Sequence, residues 1–362
     1  MPVYLAGRDE DIKNIENLFD GLMLNIPTQS VIFSGLRGVG KTVLINRLQT
    51  IAEEKGIFCR HIEVEERNDF ISQIASCSQA FLRKISTVEK FKHLIQKPLD
   101  AIKALVVSFA PGENIFSLSV QERELYTTVN LTQSLTDVFC TIGEAAGKAE
   151  TPICFFIDEI QYMKSNELGA LIAALHRANQ LGYPERLFVY KEIGSLEETQ
   201  AREAIEKPAE KMHVRYTDDA VTKIIRLTKG YPFFIQQLCQ IVYQNTSTDV
   251  IDGKCVEKNV EEFLKTLDNV FFKVRYERCS EADKKFIFAM TACGELPCTI
   301  SSAAKIMNKT VNSISTSRAQ LISKGIIYSV RYKELDFTVP EFDAYVRRLE
   351  EYQEWKKENK IR

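Results

Sequence analysis

The chain has 362 residues, 45% of them apolar and 27% charged, with a formal net charge of −2. That length gives room for two or three domains, and the near-neutral balance excludes a global pull toward nucleic acid or an anionic membrane. No apolar run approaches the roughly 20 residues of a membrane span. Met1-Pro2-Val3-Tyr4-Leu5 runs into charged Arg8-Asp9-Glu10-Asp11, so no secretory leader is expected. Nine cysteines are scattered without CxxC pairs, and even the closest two, Cys293 and Cys298, lack a ligand cluster. Buried free thiols in a reducing cytoplasm are expected.

In chain order, Ser30-Val31-Ile32-Phe33-Ser34 is a short apolar run ending in glycine, which predicts a buried strand. Residues 42–55 carry Val43, Leu44, Leu48 and Ile51 at helical spacing. Gly56 stops that helix before a second strand over 57–64. Strand, helix and strand with short connections form the βαβ unit of a parallel sheet. Residues 68–101 are predicted helical. Residues 102–109 and 115–120, split by Ala110-Pro111-Gly112-Glu113-Asn114, predict a hairpin. A helix over 131–148, the apolar strand 153–157 and a helix over 167–181 follow.

After Ile193 strands are no longer expected. Ser195-Leu196-Glu197-Glu198 reads as a capping box, Thr217-Asp218-Asp219-Ala220 opens a second helix that Gly230 ends, and residues 232–243 form an apolar third. This helical region runs to about residue 272. In the last stretch Ser280-Glu281-Ala282-Asp283 caps a helix, and residues 299–307 and 310–324 predict two more. Residues 326–330 and 335–339 predict a hairpin around Arg331-Tyr332-Lys333-Glu334. Three helices followed by a hairpin is the order of a winged helix-turn-helix. A single charged helix with a solvated face is expected over 341–360.

The chemistry concentrates in two places. Gly35-Leu36-Arg37-Gly38-Val39-Gly40-Lys41-Thr42 is a P-loop lying between a strand and a helix. Its glycines let backbone N–H groups wrap phosphates at a helix N-terminus. Lys41 adds a point charge, the Thr42 hydroxyl is a magnesium ligand, and Val43 begins the helix beside the nucleotide. The expected ligands are ATP or ADP with Mg2+. Ile153-Cys154-Phe155-Phe156-Ile157-Asp158-Glu159 is an apolar strand delivering two carboxylates, as a Walker B strand does. Asp158 is expected to hold magnesium and Glu159 to polarise the attacking water.

With these motifs the chain resembles an AAA+-related bacterial or archaeal P-loop ATPase, of the group between origin-recognition-type initiators and STAND ATPases. The resemblance also rests on Gly7-Arg8-Asp9-Glu10, Asp158-Glu159-Ile160-Gln161, Gly230-Tyr231-Pro232-Phe233-Phe234 and Leu321-Ile322-Ser323-Lys324-Gly325. It implies an α/β P-loop sheet over 1–194 with an insertion at about 66–130. A helical lid over 195–272 and a winged helix over 273–362 would follow. By the same likeness Val3, Gly7 and Arg8 frame the base, unless that segment only ties to a sheet edge, and Pro232 packs near the adenine or ribose. Origin-recognition relatives carry a sensor arginine in the helix after the Gly-Tyr-Pro turn; Phe233 to Cys239 has none. A slow, nucleotide-retaining switch is therefore expected in preference to a fast motor.

The family's sheet also places a sensor strand, ending in a polar residue that contacts the γ-phosphate, between the P-loop and Walker B strands. Here either residues 187–193 fill that position, or a strand is absent between Pro184 and Glu185. In the second case Arg186 takes the place of an arginine finger, with a plain surface arginine as the alternative. The expected recognition helix offers Asn312, Ser313, Ser315, Thr316, Arg318, Gln320 and Lys324, and the hairpin offers Arg331 and Lys333. Basic and acidic side chains nearly balance over 277–362. Duplex DNA held through 299–333 and a protein partner, for instance in a defence system, both stay open, as does a homo-oligomer. No membrane contact is expected.

Overall fold

The computed structural model describes residues 4–26, 28–65, 70–110, 130–179 and 188–359. The chain divides into two compact units, one of Met1–Ser34 with Lys41–Glu192 and one of Gly35–Gly40 with Ile193–Arg362.

The first unit opens with α1 (Asp9–Met23), β1 (Ser30–Ser34), α2 (Lys41–Glu54) and β2 (Phe58–Glu63). Helices α3 (Phe70–Ser86), α4 (Gln96–Phe109) and α5 (Leu131–Lys148) precede β3 (Ile153–Asp158), α6 (Ser165–Asn179) and β4 (Phe188–Glu192). All four strands pair in parallel. β1 runs beside β4 from Ser30↔Phe188 to Ser34↔Glu192, and β2 beside β3 from Phe58↔Ile153 to Glu63↔Asp158. The two pairs are separate two-stranded sheets. Residues 188–192 therefore do not bridge β1 to β3, as a strand filling the sensor position would. Among the described residues the second edge of β1 and of β3 carries no strand.

The apolar core packs the helices onto β2 and β3 and includes Phe58, Ile62, Phe81, Leu105, Leu135 and Ala174. It also sets the conformation of residues 102–109. Residues 102–109 are helical and not a strand, because Ile102, Leu105 and Val106 recur at helical spacing and are buried together. Packing outweighs the β-propensity of valine and isoleucine there. The partner strand expected at 115–120 lies outside the described residues. Asn130 caps α5 by accepting from the Gln133 N–H at 3.2 Å, a contact worth about 1 kcal/mol.

The second unit holds α7 (Glu198–Lys211), α8 (Asp218–Thr228), α9 (Pro232–Gln244) and α10 (Gly253–Thr266). A π turn, Leu267–Phe272, leads on to α11 (Lys273–Tyr276). Strands are not absent after Ile193, since β5 (Arg215–Tyr216) pairs in parallel with β6 (Val250–Ile251). The cap of α7 is Glu197 with Gln200, not Ser195 with Glu198. Leu196 N–H donates to Gly230 O at 2.9 Å, which keeps that segment extended and starts the helix later.

Farther on come α12 (Glu281–Ala292), β7 (Cys298–Thr299), α13 (Ile300–Ile306), α14 (Ser315–Ser323), β8 (Ile327–Arg331) and β9 (Glu334–Phe337). The strands form one antiparallel sheet in the order β7-β9-β8. Ser280 and Asp283 form the expected capping box on α12. Asp283 is fully buried and receives Lys324 Nζ at 2.7 Å. Burial opposes ionisation of this carboxyl, yet the bonds from Lys324 and Ser280 hold it below its ordinary value. The single helix expected over 341–360 is two, α15 (Phe342–Arg348) and α16 (Glu350–Glu358), broken at extended Leu349. Nor is it simply solvated. Tyr352 and Trp355 are buried against Phe288, with ring centroids 5.5 Å away in each case.

Candidate functional site

The loop between β1 and α2 has a backbone that favours glycine at three points. Gly35 has φ +151° and a Cβ there would stand 2.1 Å from the Ile193 carbonyl oxygen. Gly38 has φ +90°, and its Cβ would stand 3.1 Å from Tyr231 Cε1 and 3.4 Å from Phe233 Cβ. Val39 is buried and Gly40 has φ +95°. Within the first unit, α2 begins at Lys41, and Leu44, Ile45 and Leu48 bury one of its faces.

Thr42 and Asp158 meet at the C-terminal end of β3. The Thr42 hydroxyl donates to Asp158 Oδ2 at 2.6 Å, and the other carboxylate oxygen accepts the Glu159 N–H at 2.8 Å. Asp158 is buried. Glu159 has φ +55° and ψ +36°, a left-handed conformation that costs a non-glycine residue about 1–3 kcal/mol. It turns the chain out of the strand into a short 3-10 turn, Ile160–Tyr162. Gln161 Nε2 donates to Glu159 Oε2, which fixes the second carboxylate. Neither the left-handed turn nor the role of Gln161 was legible from spacing. The only signal was the position of an amide two residues past the acid.

Two hard oxygen donors so placed fit Mg2+, which is usually held by one or two protein ligands with phosphates and water. Among the described residues no group of three or more His, Cys, Asp or Glu gathers to hold a metal. An ion at Thr42 and Asp158 therefore depends on a phosphate ligand for the rest of its shell.

The other residues singled out by sequence fall as follows. Gly7 has φ +65° and Arg8 is buried, ahead of α1, with Nη1 donating to Gly7 O at 3.4 Å. Burial lowers the Arg8 pKa, opposed by Asp11. Val43 is half-buried on α2. Pro232 is the first residue of α9. Its neighbours Tyr231 and Phe233, present in the quoted motif without a role of their own, are the residues against Gly38. Val3 and Arg186 lie outside the described residues.

From Phe233 a run of rings crosses the second unit. Phe233 stacks on Phe271 at 4.6 Å, and Phe271 meets Phe272 at 5.6 Å. Phe272 stacks on Tyr345 at 5.3 Å and touches Phe342 at 5.9 Å. Phe342 in turn meets Phe337 of β9 at 5.2 Å.

On the candidate recognition surface Asn312, Ser313, Ser315, Thr316 and Gln320 are exposed. Two of its cations have internal partners: Arg318 donates to the Ser329 hydroxyl at 3.2 Å, and Lys324 pairs with Asp283. Arg331 and Lys333 stand exposed at the hairpin tip beside Tyr332, which is 88% exposed. Val311, Ile322 and Val330 are exposed as well. All nine cysteines are free thiols, and burial pushes Cys59, Cys154 and Cys239 up to about 12. No helix among the described residues is long and apolar enough to cross a membrane.

The profile of the family described as AAA ATPase domain matches residues 4–190. A second, described as Domain of unknown function (DUF8462), matches residues 269–346. No curated protein matches. Among solved structures, the Walker-type ATPase PABY2304 of Pyrococcus abyssi is 12% identical with a TM-score of 0.52, over 95% of this chain and 96% of its own. The RuvB Holliday junction branch migration motor of Thermotoga maritima is 12% identical with a TM-score of 0.41, over 94% and 95%. The Aeropyrum pernix ORC1 protein in complex with DNA is 14% identical with a TM-score of 0.38, over 98% and 95%. At such identities the likeness bears on fold alone, and of these three scores just the first is high enough to carry it.

Proposed function

The chain belongs to the AAA ATPase domain family, a family of ATP-binding P-loop ATPases, and from that premise we propose that it is a nucleotide-driven switch. ATP bound at Gly35–Thr42 repositions residues 273–362, and slow hydrolysis to ADP and phosphate resets them. The observation that carries this reading is the ring series from Phe233 at Gly38 to Phe337 on β9. A loop that moves on binding phosphate displaces Phe233, and close-packed rings pass on displacement because their packing is not continuously deformable.

The chemistry divides among few residues. Backbone N–H groups of the glycine loop and Lys41 hold the phosphates. Glu159, fixed by Gln161, orients the attacking water and accepts its proton. Thr42 and Asp158 would hold Mg2+, which when bound neutralises phosphate charge. Gly7, Arg8 and Pro232 are assigned to framing the base, together with Val3. Arg186 is assigned as the finger acting on a neighbouring subunit. The missing sensor arginine after Tyr231, and two strand pairs unbridged by β4, favour slow turnover and a place near the STAND ATPases.

The division into 1–194, a helical lid at 195–272 and a winged helix at 273–362 belongs to this reading, as does a cytoplasmic location. A second reading concerns the output. Exposed Val311, Ile322, Val330 and Tyr332, with Lys324 and Arg318 already engaged, favour a protein partner over duplex DNA on the face 299–333. The test is the solution mass of wild type and Glu159→Gln with ATP·Mg, with and without duplex DNA. The switch predicts an ATP-dependent change in assembly or compactness that persists in Glu159→Gln. A mass and hydrodynamic radius indifferent to nucleotide would remove it, and a salt-sensitive DNA complex would replace the protein-partner reading with the DNA one.

A further inference from the structure

We propose that Tyr231 is a further nucleotide ligand, its hydroxyl donating a hydrogen bond to a phosphate oxygen of the nucleotide held by the Gly35–Gly40 loop. The inference rests on the nucleotide reading above and gives a role to a residue that the Gly230-Tyr231-Pro232 motif contains without assigning it one.

Tyr231 is fixed in place from both sides. It precedes α9 in extended conformation, and its N–H donates to Thr228 O at 2.9 Å. Gly230 before it has φ +69° and lies so close to Leu196 that a Cβ would stand 2.3 Å from the Leu196 carbonyl oxygen. The side chain is wholly buried, and its ring packs on Phe234 at 4.8 Å.

Packing accounts for the ring and not for the hydroxyl. The Tyr231 oxygen is buried and has no hydrogen-bond partner among the described residues. A buried hydroxyl left so is destabilising, and buried tyrosines nearly always find a partner. Phenylalanine, as at positions 233 and 234, would fill the same space without that cost. The hydroxyl also lies close to the loop. It stands 3.4 Å from where a Cβ on Gly38 would be, in the middle of the phosphate loop, with Cε1 at 3.1 Å. Loop amides of this kind face an anion, so a phosphate they hold comes within reach of the phenol. Burial pushes the phenol above its ordinary value, opposed by nearby Arg275, which keeps the proton on the oxygen and the group a donor.

Such a ligand would make the start of α9 sense whether phosphate occupies the loop. The chemical class recognised is a nucleoside di- or triphosphate, since the contact is to phosphate and not to base or sugar.

The test is calorimetric titration of full-length Glu159→Gln, with and without Tyr231→Phe, using ADP, ATP·Mg and adenosine, together with the apo melting temperature of each. We expect about a tenfold loss of affinity for ADP and ATP, an unchanged response to adenosine, and an apo melting temperature that does not fall. Equal nucleotide affinity in the two proteins overturns the proposal. So does a loss shared by adenosine, or a fall in apo stability that accounts for the loss. If the protein with Tyr231 intact binds neither ADP nor ATP, the nucleotide reading itself fails, a distinct result.

Discussion

The end of β3 and the surface of α14 with its hairpin solve different problems with different amounts of sequence. At β3 a buried aspartate accepts a threonine hydroxyl at 2.6 Å, next to a glutamate in left-handed conformation, and the proposed function draws on the identity of all three. Phosphate and metal chemistry admit few substitutes. On α14 and the hairpin, by contrast, side chains of several kinds stand exposed, and two of the cations are spent on internal bonds. A fold of three helices and a small sheet sets the surface out but does not specify what covers it. Chemistry is therefore readable at one region from residue identity, and at the other only from what the side chains already touch.

Substitutions should affect the two regions differently. Glu159→Gln should lower ATP turnover on the order of 10²–10³-fold while leaving ATP affinity near wild type, measured by phosphate release and calorimetry. Wild-type turnover would place the catalytic carboxylate elsewhere. Gly38→Ala forces a Cβ into a φ of +90° and against the Tyr231 ring, at a cost of about 1–3 kcal/mol in denaturant unfolding. No change would mean the loop relaxes freely.

On the other region, Lys324→Met should cost about 2 kcal/mol by leaving the buried Asp283 carboxylate without its cation. That cost has a pH signature. The folded Asp283 pKa is lowered, so the pair's contribution is complete above the unfolded value near ~4 and fades as pH falls through the folded value. The gap between variant and wild type should narrow in acid; a gap constant with pH would show that Asp283 is not the partner. Smallest is the effect of Arg331→Ala or Lys333→Ala. If DNA is bound at the hairpin, each should reduce the salt slope of binding by about 1, read from titrations at several salt concentrations. A protein partner predicts no such slope.

Local signals carried much of the fold. The glycine spacing before Lys41, the apolar run into Asp158, and the box of Ser280 and Asp283 each specify an element through neighbours in sequence. What was misread depends on distant contacts. Residues 102–109 look like a strand alone and are helical because α3 and α5 complete their core. Ser195 fits a cap pattern, but the bond from Leu196 to Gly230 holds it extended. Within the site, Thr42, Asp158 and Glu159 were legible as types. The left-handed backbone of Glu159, the brace of Gln161 and the approach of Tyr231 and Phe233 to Gly38 were not, because they are facts of geometry across the chain.

In the proposed switch, nucleotide at the loop is felt in the C-terminal region. Hydrogen exchange on full-length Glu159→Gln, with and without ATP·Mg, tests it most directly. The switch predicts altered protection at the loop, at 231–234, at 267–272 and at 337–345 together. Protection confined to the loop and α2, with the ring-bearing segments unchanged, would contradict it.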